Sequence, residues 1–208
     1  MIRVLLADDH TLVREGLKQL LSAAPGIVVA GEAGDGDAAL ALVRANTYDI
    51  AVLDMSMPGL AGVDLIRRVL LEKPRLRVLV LSMHGEQQYA VRALKSGAAG
   101  YLTKDSAAAQ LVSVIRKIAA GGVHISDTAA ALLIGGSAGA GAAPHARLSD
   151  REFEIFHALV GGESVGDIAE RLRLSVKTVS THKTRILQKM NMESTAELVR
   201  YAVENKLL

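Results

Sequence analysis

Residues 50–54 read IAVLD and residues 77–82 read RVLVLS, and these two stretches decide the fold class. Both are almost continuously apolar, which is typical of parallel strands that helices cover on both faces. Further strand-like runs lie at residues 3–7, 27–33 and 100–103, and apolar residues recur at helical spacing between the runs and after the last one. The predicted helices span residues 12–23, 37–46, 63–71, 87–96 and 107–120. Five strands that alternate with five helices predict a doubly wound α/β fold around a five-stranded parallel sheet.

From residue 147 to the end, strand patterns give way to four short helical segments. Each segment begins at a serine that can cap a helix, and the four are Ser149, Ser164, Ser175 and Ser194. These starts predict a small all-α domain of four helices that follows the α/β domain.

The stretch GGSAGAGAAPHA at residues 135–146 carries no charged residue and is typical of a flexible linker. A phosphate-binding glycine loop is excluded here, because no strand precedes the glycines and no lysine follows them. We therefore expect one domain at residues 1–121, a linker at 122–145 and a second domain at 146–208.

The composition limits what the protein can do. The chain has 208 residues, half of them apolar and 22% charged, with a formal net charge of +2. A charge this small means that any nucleic-acid site is a local patch. The absence of cysteine excludes disulfides and thiolate chemistry. We expect a cytoplasmic protein with no membrane contact, because the sequence shows neither a secretory signal nor an apolar run near 18 residues.

Charged and polar residues end four of the five predicted strands. Asp8 and Asp9 follow the first strand, Asp54 ends the third, Ser82 ends the fourth and Lys104 follows the fifth. The carboxyl ends of parallel strands meet at one edge of a sheet, and three carboxylates there need a cation such as Mg²⁺. The pattern predicts phosphoryl transfer to Asp54, although solvated strand-end acids and a surface lysine remain the alternative.

The segments LLADDH, VLDMSMPGLAGVDL, LSMH and GAAGYLTKD together resemble the receiver domain of two-component response regulators, over about 120 residues with the flavodoxin-like fold. This resemblance implies that a sensor histidine kinase phosphorylates Asp54. It implies Mg²⁺ ligation by Asp9, Asp54, the Ser56 carbonyl and, through water, Asp8. It also implies that Lys104 binds the phosphoryl oxygens, that Ser82 and Tyr101 are the switch pair, and that Ser56 and His84 tune the lifetime of the phosphorylated state.

One departure from the receiver pattern concerns the residue after Lys104. Many receivers have proline there, whereas this chain has Asp105, which leaves the geometry of the Lys104–Asp105 peptide open. Asp105 is expected to cap the last helix of the domain, with Ser106 as the rival cap.

Residues 171–190 read RLRLSVKTVSTHKTRILQKM and contain six lysines and arginines but no acid. Such a local field attracts polyanions. The apolar residues at helical spacing, which we expect to face the core, are Val176, Val179, Ile186 and Met190. Small hydroxyls beside cations suit the DNA major groove, and a merely solvated basic face is the alternative.

The segment that begins LSDREFEIFHALVGG and continues through this basic stretch resembles the LuxR-type DNA-binding domain of NarL/FixJ response regulators. The resemblance covers residues 146–208 and places a helix-turn-helix at about residues 165–184. The candidate DNA contacts are Lys177, Thr178, Ser180, Thr181, Lys183, Thr184 and Lys189. The common pattern has lysine where Ser180 stands, so we expect a different site preference.

Two features of this domain stay open at the level of sequence. His182 either contacts phosphate or packs against the first helix of the helix-turn-helix pair. The last helix either completes the core or also provides dimer contacts.

Taken together, these features predict a transcriptional regulator whose activity is controlled by phosphorylation. Its partners are a histidine kinase, double-stranded promoter DNA, a second copy when phosphorylated and, as a further candidate, RNA polymerase. It is not expected to be a turnover enzyme. The two rivals are an aspartyl-phosphate hydrolase, which would need a general acid where Ser56 stands, and a regulator that binds DNA without phosphorylation.

Overall fold

The computed structural model describes residues 1–83, 86–134, 143–205 and 207. It divides the chain into two compact units, Met1–Ile134 and Gly135–Leu208. Within the described ranges, no helix is both long and apolar enough to cross a membrane.

The first unit contains the predicted five-stranded parallel sheet. The strands are β1 (Ile2–Ala7), β2 (Ile27–Ala33), β3 (Ile50–Asp54), β4 (Arg77–Ser82) and β5 (Gly100–Thr103). Their order is β2-β1-β3-β4-β5, and every pair is parallel. The connecting helices are α1 (Thr11–Ser22), α2 (Gly36–Ala45), α3 (Gly62–Glu72), α4 (Glu86–Lys95) and α5 (Lys104–Ala119). The predicted fold is confirmed, with strand ends that differ from expectation by at most one residue.

Helices cover both faces of this sheet. Helices α1 and α5 pack against one face, where Leu6, Val52 and Leu81 meet Leu17 and Ile115 in one buried cluster. On the opposite side of the sheet, α2 packs against α3, and α3 packs against α4. All residues of β3 are buried, as its continuously apolar sequence predicted.

The start of α5 differs from the prediction. The helix begins at Lys104, and its N-cap is Thr103, whose side chain accepts from the backbone N–H of Ser106. Neither Asp105 nor Ser106 is the cap, so that expectation is wrong. Strand β5 leads directly into the helix, and the threonine at the junction is therefore the first side chain able to reach the free N–H groups. The Lys104–Asp105 peptide is trans.

Part of the segment predicted as linker is folded onto the first unit. His124 forms a parallel bridge with Gly100 of β5, and a further helix, α6 (Asp127–Ile134), packs against α4. The side chain of Ser126 accepts from the backbone N–H of Ala129 and caps α6. Residues 135–142 of the predicted linker lie outside the described residues.

The second unit is the small helical domain that the serine pattern predicted. After a 3₁₀ turn at Pro144–Arg147, its helices are α7 (Asp150–Val160), α8 (Val165–Arg171), α9 (Val176–Met190) and α10 (Thr195–Glu204). All four predicted serines are the observed N-caps. His145 is buried, and its Nδ1 lies 2.6 Å from the hydroxyl of Tyr201 in α10. The unit therefore includes a residue that the sequence analysis placed in the linker.

Candidate functional site

Three residues from three strand ends meet at the carboxyl edge of the sheet. Lys104 Nζ lies 2.7 Å from Asp54 Oδ2 and 2.8 Å from Asp8 Oδ2. All three side chains are almost fully buried. Asp8 follows β1, Asp54 ends β3 and Lys104 follows β5, so the parallel topology brings together residues that are up to 96 positions apart. One ammonium group thus bridges two buried carboxylates.

Burial and pairing act in opposite directions on these groups. Burial raises the pKa of the Asp54 carboxyl, and the hydrogen bond from Lys104 offsets this only in part. Burial opposes the charged form of Lys104 as well, but its hydrogen bonds to Asp54 and Asp8 outweigh that effect and raise the pKa of the ammonium group. Asp54 therefore carries its negative charge at a cost that additional positive charge would reduce.

Asp9 and His10 add further potential metal ligands beside Asp8 and Asp54. Asp9 is part-exposed, and its Oδ1 lies 2.7 Å from His10 Nδ1. One ligand atom from each of Asp8, Asp9, His10 and Asp54 can be chosen so that all four lie within 4.8 Å of one another. Three carboxylates and one lysine leave two formal negative charges. This oxygen-rich, doubly negative donor set fits a divalent cation such as Mg²⁺.

The remaining residues predicted for this site occupy the same edge of the sheet. The backbone N–H of Ser56 donates to Asp54 Oδ1 at 3.2 Å, so the loop after β3 folds back on the carboxylate. Ser82 ends β4 and is buried, and Tyr101 is buried in the neighbouring strand β5. His84, the other residue proposed to tune the lifetime, lies outside the described residues.

Two residues of the pocket were missed by the sequence analysis. His10 contacts Asp9 through its ring and Asp8 through its backbone N–H. Arg14 donates from Nη1 to the backbone carbonyl of Asp8 at 2.5 Å. Position was the one signal for Arg14 in the sequence, because this residue lies one helical turn after His10 and soon after the strand-end acids.

In the second unit, α8 and α9 form the predicted helix-turn-helix. Helix α9 is exposed at Lys177, Ser180, Thr181 and Thr184, whereas Thr178 and Lys183 are part-buried. The hydroxyl of Thr178 lies 2.7 Å from that of Ser175, so it takes part in the cap of α9. The hydroxyls of Thr181 and Thr184 donate to backbone carbonyls one turn earlier, those of Lys177 and Ser180.

Two residues of α9 do not lie where the sequence pattern suggested. Val176 was expected to face the core but is 56% exposed, so that expectation is wrong. It is the first residue of α9, and the neighbouring helices cover the stripe only from Val179 onward. Lys189 lies 2.6 Å from Oε2 of buried Glu152 in α7, which places its charge in an ion pair between helices. Its proposed contact with DNA phosphate therefore competes with that pair.

His182 is a part-buried residue of α9, the helix that packs against α7. Burial lowers the pKa of its imidazole, and the cations Arg151, Arg185 and Lys189 add to the effect, while Glu152 opposes it. A neutral, part-buried imidazole favours the packing role over a contact with phosphate.

Both halves of the chain match known families. Residues 4–116 match the response regulator receiver domain. Residues 146–202 match the luxR family of bacterial regulatory proteins.

Relatives and solved structures with the same organisation cover nearly the whole chain. Response regulator UvrY of Escherichia coli K12 is 36% identical over 209 residues, which is 100% of this chain and 96% of UvrY. Response regulator GacA of Pseudomonas viridiflava is 36% identical over 210 residues, with 100% and 98% covered. The structure of RcsB from Salmonella enterica serovar Typhimurium, bound to promoter rprA in the presence of a phosphomimetic, superposes with a TM-score of 0.70 at 27% identity. That match covers 97% of this chain and 98% of RcsB.

Proposed function

This chain belongs to the two-component response regulators that combine a receiver domain with a LuxR-type DNA-binding domain, and we propose that Asp54 is the residue through which phosphorylation controls it. The family consists of DNA-binding response regulators rather than turnover enzymes. Its members interact with histidine kinases and promoter DNA. The observation that carries the proposal is the single ammonium group of Lys104 shared by Asp54 and Asp8.

Phosphorylation of Asp54 transfers a phosphoryl group from a phosphohistidine on the kinase. A carboxylate oxygen of Asp54 attacks phosphorus, the nitrogen–phosphorus bond breaks, and the imidazole of the kinase leaves with the electron pair. Lys104 is placed to neutralise the phosphoryl oxygens. Receiver domains bind Mg²⁺ at this pocket, where Asp8, Asp9, Asp54 and the Ser56 carbonyl are the proposed ligands. The bound cation offsets the charge of the carboxylates and the phosphoryl group.

The reaction stops at one phosphoryl group per chain. Water then slowly hydrolyses the acyl phosphate, which releases inorganic phosphate and restores the carboxylate of Asp54. We assign control of this lifetime to Ser56 and His84. A turnover assay with a small phosphate ester separates this function from that of a hydrolase, because a hydrolase would release phosphate in amounts far above one per chain.

The route from the pocket to the rest of the chain passes through Ser82 and Tyr101. The proposed switch moves the Ser82 hydroxyl towards the phosphoryl oxygens, and the ring of Tyr101 repositions with it. The backbone of Tyr101 is hydrogen-bonded to His124, and the helix that follows, α6, packs on α4. Residues 122–134, here called the strap, follow α5 in the chain. They therefore contact both the strand that contains Tyr101 and the neighbouring helix α4.

In the second unit, α9 is the proposed recognition helix for double-stranded promoter DNA. Lys177 and Lys183 form no ion pair within the described residues, so they are free to bind phosphate, together with Lys189 when it leaves Glu152. Ser180, Thr181 and Thr184 are assigned to base edges, and Thr178 to the start of the helix. Since Thr181 and Thr184 donate internally, their oxygens are suited to accept from the amino groups of adenine or cytosine.

The phosphorylated chain is proposed to act as a homodimer in the bacterial cytoplasm, where promoter DNA is found. RNA polymerase is a further proposed partner. Helix α10 buries Leu198 and Ala202 in the core but exposes Val203, so it can serve both as core and as dimer surface.

The decisive experiment compares Asp54→Asn with Asp64→Asn, an exposed acid of α3. With acetyl phosphate and Mg²⁺, we expect the wild type and Asp64→Asn to incorporate one phosphoryl group and Asp54→Asn to incorporate none. Promoter binding should rise with phosphorylation in the first two proteins only. Label at the wild-type level in Asp54→Asn would contradict the assignment, and equal DNA binding with and without label would favour the phosphorylation-independent rival.

A further inference from the structure

Arg14 fixes the backbone of the turn that carries the strand-end acids. Its Nη1 donates to the carbonyl oxygen of Asp8 at 2.5 Å, and its side chain is only 18% exposed. On the other side of the same residue, the backbone N–H of Asp8 donates to the carbonyl of Ala33 at 3.1 Å. Both backbone polar groups of Asp8 therefore have protein partners.

Arg14 is itself attached to the neighbouring strand. Its Nε lies 3.8 Å from Oε2 of Glu32 in β2. Lys18, one turn further along α1, lies 2.6 Å from the other carboxylate oxygen of Glu32. The two cations thus share one partner, but within the described part of the chain Arg14 contacts the Asp8 turn and Lys18 does not. This difference provides a matched pair for experiment.

The same turn also fixes the orientation of the Asp8 carboxylate. Its Oδ1 accepts from the backbone N–H of His10 at 2.8 Å, and its Oδ2 lies 2.8 Å from Lys104 Nζ. Asp9 lies between Asp8, whose carbonyl accepts from Arg14, and His10, whose backbone N–H donates to Asp8 Oδ1. The carbonyl of Asp8 lies in the same planar peptide unit as the N–H and Cα of Asp9, so a rotation that freed this carbonyl would also move Asp9 and its carboxylate.

We propose that Arg14 is a positioning residue for the divalent cation of the receiver pocket. By spanning Glu32 and the Asp8 carbonyl, the guanidinium holds the turn at Asp8–His10 so that the carboxylates of Asp8 and Asp9 converge with that of Asp54. Two different nitrogens of Arg14 contact the two partners, Nη1 the Asp8 carbonyl and Nε the Glu32 carboxylate, whereas a lysine has a single nitrogen and cannot occupy both positions. This inference rests on the proposed function, namely that the pocket binds Mg²⁺.

Groups that orient metal ligands usually affect metal affinity by about ten- to a hundredfold when removed. We therefore expect Arg14→Met, which keeps an aliphatic stem and removes the donors, to weaken Mg²⁺ binding by about tenfold. Lys18→Met also removes a cation from Glu32 but leaves the Asp8 turn intact, so its Mg²⁺ affinity should stay within about twofold of the wild type.

The test measures Mg²⁺ binding to the full-length proteins by isothermal titration calorimetry, and urea unfolding without Mg²⁺ confirms that each variant is folded. Labelling by acetyl phosphate provides a second readout: Arg14→Met should need more Mg²⁺ for half-maximal rate but reach nearly the wild-type rate at saturation. Equal affinity in Arg14→Met and Lys18→Met would overturn the proposal.

A second variant keeps the test decisive if Arg14→Met does not fold. Arg14→Lys should bind Mg²⁺ a few-fold more weakly than the wild type, because one nitrogen cannot take the positions of both Nη1 and Nε. Affinity equal to the wild type would overturn the proposal. A wild-type protein that binds no Mg²⁺ would instead refute the proposed function of the pocket, so the two failures are distinguishable.

Discussion

The backbone N–H of Tyr101 donates a hydrogen bond to the carbonyl oxygen of His124 at 3.2 Å. The N–H of His124 donates in turn to Ala99 at 2.9 Å, so the chain leaving α5 runs beside β5 before it forms α6. The strap is thereby attached to the strand that carries the proposed switch aromatic and to the helix next to it. The proposed movement of Tyr101 on phosphorylation would therefore displace the strap as well.

Undocking α6 should separate phosphorylation from DNA binding. Ala129 is fully buried in α6, whereas Ala131 is exposed on the same helix. We expect Ala129→Asp to detach α6 from α4, because a buried unpaired charge is costly. The ratio of DNA affinities with and without acetyl phosphate should fall towards one in this variant. Ala131→Asp is the control and should keep the wild-type ratio. A wild-type ratio in Ala129→Asp would exclude the strap as the signalling route.

Replacing the buried charge of Asp54 should stabilise the first unit. Burial raises the pKa of this carboxyl, so the stability it contributes is present at low pH and is lost as the pH rises above the ordinary value of 3.8. Lys104 keeps Asp8 as its partner in Asp54→Asn. We expect urea unfolding at pH 7 without Mg²⁺ to show a gain of about 1 kcal/mol.

The gain should shrink when Mg²⁺ is added, because the cation compensates the charge only in the wild type. It should also shrink as the pH falls through the raised pKa of Asp54 and should vanish below 3.8, where Asp54 is protonated in both the folded and the unfolded state. A variant less stable than the wild type at pH 7 would contradict this view of the pocket.

His182 should make the DNA-binding domain less stable in mild acid. Burial lowers the pKa of its imidazole below 6.5, so its contribution is complete above that value and is lost as the pH falls through the lowered pKa. The charged groups facing it, Glu152, Arg151, Arg185 and Lys189, do not reverse this direction. Urea unfolding of residues 143–208, which retain buried His145, should show a larger loss between pH 8 and pH 5 in the wild type than in His182→Gln. Equal losses of stability in the wild type and in His182→Gln would show that another group causes the acid sensitivity.

Alanine substitutions at two lysines of α9 should affect different properties, DNA binding in one case and folding stability in the other. Lys183→Ala should weaken binding to all DNA sequences and lower the salt slope by about one, with little change in stability. Lys189→Ala should instead reduce the unfolding free energy by about 1–3 kcal/mol, because it leaves buried Glu152 without its cation. Salt titrations of DNA binding and urea unfolding of both variants test this. A full unit of salt slope lost in Lys189→Ala at unchanged stability would return Lys189 to the phosphate contacts.

Much of the site was predictable because its residues sit at the ends of recognisable elements. Asp54 closes a short apolar stretch of the kind typical of buried parallel strands, and Lys104 follows the last strand of the same sheet. Parallel strands present their carboxyl ends at one edge, so the order of elements alone places these groups together. The helix caps at Ser149, Ser164, Ser175 and Ser194 were predictable for a related reason, since a cap is an interaction within one turn.

The sequence by itself determined the strands, the four serine caps of the second unit and the acids and lysine at the carboxyl edge, because periodicity and capping depend on neighbours close in the chain. Only the tertiary structure decided which groups share a partner. The pairing of Lys189 with Glu152 crosses 37 positions, and that of Lys104 with Asp54 crosses 50. The same holds for the exposure of Val176 and for the bridge from His124 to β5, since packing between elements determines both. Such contacts depend on where whole helices and strands come to rest, and no local pattern encodes that.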